Sequence, residues 1–244
     1  MSPLVVPANF SDGSIALIQY LAQTVSVPVY VVFIHTGWAA ASWPERVSLA
    51  KTFVQNKGFH WVELTSPCTF PRLVQDRKAF PSPKFQWCAA LLKGTPLLHW
   101  LDDIDLTNEW TICLAKRQTL MKALLTEYEN SSEYYGERRI WHPLWQHTHP
   151  DINVLLTQAG LPRHPRRSLE CDPCVHASPQ DLSCLHPHDI EKTKILENTL
   201  QRPFFPHLQG NIEVATQWAR LQPPKSYSHQ AFGRGCADLF ACGL

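Results

Sequence analysis

The run Val29-Tyr30-Val31-Val32-Phe33-Ile34 constrains the fold more than any other stretch of this chain. It is dense in β-branched and aromatic residues and has no polar face. Such a segment suits a strand buried on both sides, as in the centre of a parallel sheet. Pro28 stands just before it, where a proline removes no ladder hydrogen bond, and His35-Thr36-Gly37 closes it. A short buried strand precedes it at Leu4 to Phe10 and ends in the turn Ser11-Asp12-Gly13-Ser14. Ile15 to Thr24 then has helical spacing at Ile15, Ile18 and Leu21. Trp43 to Lys57 predicts an amphipathic helix with Pro44 in its first turn, and Phe59 to Leu64 a third strand. This β-α-β-α-β order predicts an α/β fold: a doubly wound, mainly parallel sheet with right-handed crossovers.

Further along, Ser66 to Ser82 reads as a loop rich in proline and charge, and Phe85 to Leu92 as a helix. A fourth strand is expected over Glu109 to Ala115 and a helix over Arg117 to Tyr128. The polar stretch Asn130 to Arg139 reads as a mobile loop, and Pro150 to Ala159 and Ile190 to Thr199 as helices. From Pro162 the chain turns basic and proline-rich, and the pair Cys171-Asp172-Pro173-Cys174 follows.

With 244 residues, 44% hydrophobic and 18% charged, the chain suits one large domain or a domain with a tail. Its net charge of +1 gives no overall field toward nucleic acid or membrane, so local basic groups must carry any such contact. No apolar run reaches the roughly 18 residues of a membrane span. Met1 to Phe10 lacks a basic start followed by a long apolar stretch, so no signal peptide is expected. The expected location is cytoplasmic, where thiols stay reduced. The eight cysteines then read as ligands, nucleophiles or core residues, not as disulfides.

Ser11-Asp12-Gly13-Ser14 lies where a strand feeds a helix, and open α/β sheets bind ligands at that edge. Its small residues and the helix N-terminus can cradle a pyrophosphate, or they can form an ordinary N-capped turn. His35, Thr36 and Gly37 end the second strand at the same edge, as a nucleotide contact or a plain loop start. Lys116 and Arg117 follow the fourth strand, where cations can neutralise phosphates or stand solvated at a helix start. Glu137-Arg138-Arg139 and Arg163 to Arg167 are further basic groups, suited to solvated loops or to a phosphate backbone. Cys171 and Cys174, two residues apart with only a short turn between them, can grip one metal centre. Cys184, His186 and His188 allow zinc, Cys88 favours an iron–sulfur cluster held by cysteines alone, and Cys113 reads as strand core.

The order of these motifs resembles the phosphoadenosine phosphosulfate (PAPS) reductase family, within the N-type ATP pyrophosphatases of adenine nucleotide alpha-hydrolase-like fold. Ser11-Asp12-Gly13-Ser14 falls at the family's Ser-Gly-Gly-x-Asp-Ser loop, and His35-Thr36-Gly37 at its Asp-Thr-Gly, with Glu45 downstream. Trp87-Cys88 to Lys93 and Pro96 resembles its Cys-Cys…Lys…Pro segment. Ile112 to Thr119 resembles its Gly-x-Arg-x-x-Glu-Ser strand end, and Trp141-His142-Pro143-Leu144-Trp145 its Pro-Ile…Trp segment. Gly160-Leu161-Pro162-Arg163-His164-Pro165 resembles Gly-Leu-Pro-x-x-Pro, and Cys171 and Cys174 fall at the Cys-x-x-Cys of cluster-bearing members. Cys242-Gly243-Leu244 resembles the terminal Glu-Cys-Gly-Leu that holds the reductase nucleophile. The phosphate loop is shorter than the family's, His35 replaces Asp, Trp87 replaces the first of two adjacent cysteines, and no Glu precedes Cys242. These departures fit a divergent branch, such as members found in phages or in DNA phosphorothioation.

The resemblance implies a nucleotide-binding α/β domain over residues 1–165 and a cysteine-rich metal module with its tail over 166–244. It implies an ATP pyrophosphatase of sulfur transfer, activating an acceptor such as a DNA backbone phosphate by adenylylation. Ser11, Asp12, Gly13, Ser14, His35, Thr36 and Gly37 would then bind the nucleotide, and Lys116 and Arg117 would stabilise developing charge. Mg would bridge phosphate oxygens. In the alternative, a thiol-dependent adenylyl-sulfate reductase, Cys242 is the nucleophile. A non-catalytic metal-stapled subunit that binds nucleic acid or protein is the third possibility. The expected cofactor is a 4Fe-4S cluster, with zinc as the alternative. Cys88, Cys171 and Cys174 are ligands and Cys184 the fourth, with Cys236 close behind. Partners would be an adenine nucleotide (ATP or adenylyl sulfate), DNA, and a cysteine desulfurase or thioredoxin-like thiol donor, with no membrane.

Overall fold

A computed structural model describes residues 2–118, 126–164, 166–208 and 210–222. Strand β1 (Leu4–Pro7), helix α1 (Asp12–Thr24), strand β2 (Val29–His35), helix α2 (Trp43–Asn56) and strand β3 (His60–Thr65) form the expected β-α-β-α-β unit. Helix α1 begins earlier than the apolar spacing predicts, with Ser11 at its N-cap position in extended backbone and making no side-chain capping bond. The stretch expected to be a loop from Ser66 contains α3 (Phe70–Arg77), with Pro71 in its first turn. A short helix α4 (Trp87–Ala89) runs through a π-turn (Ala90–Gly94) into α5 (Thr95–Ile104). Strand β4 (Thr111–Cys113), β5 (Tyr128–Glu129) and β6 (Arg139–Trp141) complete one sheet in the order β3-β2-β1-β4-β6-β5. All neighbours pair parallel except β5 with β6. Helices α6 (His149–Ala159), α7 (Pro179–Ser183), α8 (Pro187–Leu200) and α9 (Ile212–Arg220) follow.

Period-two alternation sends the two sides of each central strand into different cores. Leu4, Val6, Val29, Val31 and Phe33 pack with α1, α2 and α6. Val5, Val32, Ile34, Ile112 and Ile140 pack with Leu97 and Leu101 of α5. A third core joins Trp38, Phe70, Val74 and Trp87 to Cys174, Leu182, Leu196, Phe204 and Ile212. Cys113 is fully buried in β4, as its place in a strand predicts.

Two expectations change here. Tyr128 belongs to a strand, not to the end of a helix, and residues 119–125 lie outside the described part. Asn130 to Arg139 contains a 3-10 turn (Glu133–Tyr135), and Arg138 is fully buried. Its guanidinium donates to Asp105 Oδ2 at 2.7 Å, to the Asp105 carbonyl at 3.0 Å and to Asp102 Oδ1 at 3.2 Å. An arginine satisfied in this way is a strut between α5 and β6, not a solvated loop charge.

Candidate functional site

The strand order fixes where a ligand can sit. Successive strands run outward from β1 through β2 to β3, and the chain then returns to place β4 on the other side of β1. The sheet therefore has its switch point between β1 and β4, and the crevice outside their carboxyl ends is the binding position of such folds. The turn Ser11–Ser14 leaves β1 at that point. A Cβ built on Gly13 would lie 3.8 Å from Ala115 Cβ, so this turn packs against the chain leaving β4. Lys116 and Arg117 come next and are both buried. Burial opposes the charge of Arg117 and lowers its pKa.

The turn is held from inside the protein. Asn9 Oδ1 accepts from the Ser11 N–H at 3.1 Å and from the Ser14 hydroxyl at 2.8 Å. Phe10 has a φ of 55°, rare for a bulky residue. Its ring packs on Phe33 and Trp61, and its carbonyl accepts from Arg46 Nε at 3.1 Å, which hold it there. Asp12 faces inward and is 1% exposed. Its carboxylate takes Arg163 Nε at 2.9 Å and the His164 N–H at 2.8 Å, with Arg46 at 3.5 Å. In this turn an anion would thus meet backbone N–H groups and the α1 N-terminus rather than the Asp12 side chain.

Residues 163–164 and 166–173 form a strap across the carboxyl ends of β1 and β2. Arg163 and His164 hold Asp12, and the Ser168 hydroxyl donates to the Asn9 carbonyl at 3.0 Å. The Leu169 carbonyl accepts from the Ala40 N–H, and the Glu170 carbonyl accepts from the Thr36 hydroxyl at 2.8 Å. The Asp172 N–H donates to the Trp38 carbonyl, and Trp38 Nε1 donates to the Pro173 carbonyl at 3.0 Å. Thr36 is 3% exposed and also accepts from the Cys171 thiol at 3.4 Å. Gly37 has a φ of +69°, and a Cβ there would lie 2.7 Å from Thr69 Cβ, so both conformation and space demand glycine. Thr36 and Gly37 thus seat the cysteine turn on the sheet. His35 leans the other way, its Nε2 2.5 Å from Glu63 Oε1, and this hydrogen bond is the main cause of a lowered Glu63 pKa.

Cys88, Cys171 and Cys174 come together in the third core. The Cys88 thiol is pushed up to about 12, first by burial, then by the charges of Cys171 and Cys174. Cys171 is pushed up to about 11, again first by burial. The Lys93 ammonium opposes both shifts, and it forms a buried ion pair with Glu170. Burial thus favours the protonated thiol at both Cys88 and Cys171. Among the described residues, no group of three or more His, Cys, Asp or Glu stands close enough to form a ready metal cage. Cys184 is exposed at the end of α7, where its neighbour is the Ser183 hydroxyl. Cys236 and Cys242 lie outside the described residues.

Sequence reasoning missed Asn9, Phe10, Arg46 and Glu170, because each works through a partner remote in sequence. Lys93 and Arg163 stand in motifs visible in the sequence, but their partners Glu170 and Asp12 lie far from them along the chain. Arg163, like Arg138, is engaged internally, so two basic residues that read as solvated loop charges or phosphate-backbone contacts hold the protein together instead. No helix among the described residues is long and apolar enough to cross a membrane.

No family model matches the chain, and no curated protein matches it. Among solved structures it is similar to a phosphoadenylyl-sulfate (PAPS) reductase from Candida auris in its phosphate complex. That match has a TM-score of 0.46 and 13% identity, covering 66% of this chain and 74% of that one. It is also similar to the U34-tRNA thiolase NcsA from Methanococcus maripaludis with its 4Fe-4S cluster. Here the TM-score is 0.49 with 13% identity, covering 90% of this chain and 71% of that one.

Proposed function

We propose that this chain is a nucleotide-dependent sulfur-transfer enzyme, a PAPS-reductase-like ATP pyrophosphatase that activates its acceptor by adenylylation. The observation that carries this reading is the strap of residues 163–164 and 166–173. One short segment ties Asp12 in the candidate phosphate turn to Cys171 beside Thr36, so nucleotide turn and thiol group share one sheet edge. ATP would lie at the β1–β4 switch point, its phosphates against the backbone of Ser11 to Ser14 and beside Lys116 and Arg117. Mg, when bound with the nucleotide, would supply charge neutralisation at the phosphates alongside Lys116 and Arg117. An acceptor oxygen attacks the α-phosphorus, the bond to the pyrophosphate oxygen breaks, and pyrophosphate leaves. A sulfur nucleophile then displaces AMP from the activated acceptor. Cys88, Cys171 and Cys174 would hold the cluster, with Cys184 or Cys236 as fourth ligand. When bound, the cluster would replace the thiol protons and staple α4 to the strap.

The test is pyrophosphate release from ATP by anaerobically purified protein, with and without DNA as acceptor, alongside iron and sulfide counts. Acceptor-dependent release that is lost in Lys116→Ala supports the reading. Absence of release with every acceptor sinks it, and a colourless, zinc-loaded sample removes the cluster.

A further inference from the structure

Helix α9 has apolar residues on two sides. Ile212, Ala215 and Ala219 point into the third core. Val214, Trp218 and Leu221 follow the i, i+4, i+7 spacing of one helical stripe on the outer side, where they are 46%, 38% and 83% exposed. Leu221 belongs to the stripe because the backbone is still helical at this C-cap position. The outer side of a surface helix is ordinarily polar, so three large apolar residues in register mark a contact surface.

The helix that presents this stripe is firmly held. Asn211 Oδ1 accepts from the Val214 N–H at 3.1 Å and caps the first turn. The Glu197 carboxylate of α8 accepts from the Ile212 N–H at 2.9 Å, and Lys194 pairs with Glu213 at 2.9 Å. A Cβ on Gly210 would lie 2.7 Å from Val214 Cβ, so the chain entering α9 packs directly on that side chain. The stripe is a preset surface, and little ordering of α9 opposes its use. Chain length and sequence then select the occupant. Residues 223–244 continue from Gln222, next to Leu221, and carry Phe232, Leu239 and Phe240. Helix α9 is about 14 Å long, and the chain from Leu221 to Phe232 can span about 35 Å, so these side chains can reach back along the whole helix. A second copy of the chain fits less well, because three side chains on so short a helix offer far less than the roughly 800 Å² per partner of a stable dimer. A tethered segment needs less contact, since its effective concentration at the stripe is high.

We propose that residues 223–244 fold back and seat Phe232, Leu239 and Phe240 on the Val214–Trp218–Leu221 stripe of α9. Cys236 stands between these aromatic residues in the sequence, and Cys242 just after them. The seat therefore holds both thiols on a helix of the core that contains Cys88, Cys171 and Cys174. The docking does not depend on the proposed ATP chemistry.

Limited trypsin digestion of the full chain, purified anaerobically, tests it. Cleavage after Arg234 is followed by mass spectrometry, and each rate is divided by that of the matching free peptide. Val214→Asp with Leu221→Asp puts two carboxylates into the seat at exposed positions, the first of them in the opening turn of α9, where an acid is favourable. This pair should raise cleavage at Arg234 roughly tenfold or more, with the far-ultraviolet dichroism unchanged. Phe232→Ser with Phe240→Ser, which leaves every described residue intact, should give the same rise. All four changes together should add nothing to either pair. The inference is overturned if wild type is cut as fast as the paired variants. Protection that disappears on dilution overturns it in favour of a second copy. Protection lost on iron chelation but kept in both pairs overturns it in favour of the cluster as the tether. A wild-type protein with a protected Arg234 but no pyrophosphate release would overturn the proposed function alone.

Discussion

The Cys171 thiol donates to the Thr36 hydroxyl across 3.4 Å, and the same hydroxyl donates to the Glu170 carbonyl at 2.8 Å. Thr36 follows the last residue of β2, so one side chain transmits the position of a central strand to the cysteine turn. It also accepts from the Trp38 N–H at 3.3 Å. A hydroxyl offers one proton and two lone pairs, and here all are used.

Thr36→Val tests that link. The change keeps the shape and leaves the buried Glu170 carbonyl and the Trp38 N–H without this partner. The expected cost is about 1–3 kcal/mol in urea unfolding. Bound iron after anaerobic purification should fall with it, while Thr36→Ser recovers most of both. Iron content unchanged in the valine variant would separate the cysteine turn from β2.

The two glycines at this edge should behave differently. Gly37→Ala places a Cβ 2.7 Å from Thr69 Cβ at a φ of +69°, so a loss of roughly 2 kcal/mol is expected. Gly37→Ala combined with Thr69→Gly relieves the contact but not the backbone, and should recover only part. Gly13→Ala meets atoms at ordinary contact distance, 3.8 Å. Its stability should stay within about 0.5 kcal/mol of wild type while ATP affinity falls, because the new methyl group faces the β1–β4 crevice. Unchanged ATP affinity would place the phosphates elsewhere.

The parallel sheet was legible because its signal is local. The Val29–Ile34 run, the alternation of β1 and the helical spacing after Ser11 are short-range patterns set by burial. The strap was not. Its hydrogen bonds join Asp12 to Arg163 and Thr36 to Glu170, and nothing in the local sequence of either partner announces the other. Helix α3 was hidden by the proline and charge around it, and Arg138 by the polar residues on either side. Charge in a sequence reads as solvated until its partner is known, and Asp102 and Asp105 lie far upstream.

Arg138→Met should therefore be among the most damaging single changes in the described chain. Asp105 is 2% exposed and would be left as an uncompensated buried charge. Breaking such a pair costs about 3–5 kcal/mol. Arg138→Met combined with Asp105→Leu removes both charges and should be less destabilised than Arg138→Met alone. A double-mutant cycle in urea measures the difference. If Arg138 instead served a nucleic acid contact, the single variant would keep its stability and lose binding.

His142 should make stability depend on pH in a window set by its environment. The ring is fully buried, with Nε2 2.9 Å from Glu129 Oε1. Burial is the largest influence and lowers its pKa from the ordinary 6.5; Lys116 acts in the same direction, and Glu129 only partly opposes them. The unfolded chain therefore takes up a proton on this imidazole before the folded chain does. Where the unfolded state binds more protons, stability rises with pH. The His142 contribution is complete above about pH 7 and declines as pH falls below the ordinary histidine value, by at most about 1.4 kcal/mol per pH unit, until the folded imidazole also protonates. His142→Gln retains a hydrogen-bonding side chain toward Glu129 without a titrating ring. Urea midpoints compared at about pH 7.5 and about pH 5.5 should fall more in the wild type than in this variant. Equal falls would mean that the imidazole titrates alike in both states, and that Glu129 offsets the burial beside Lys116.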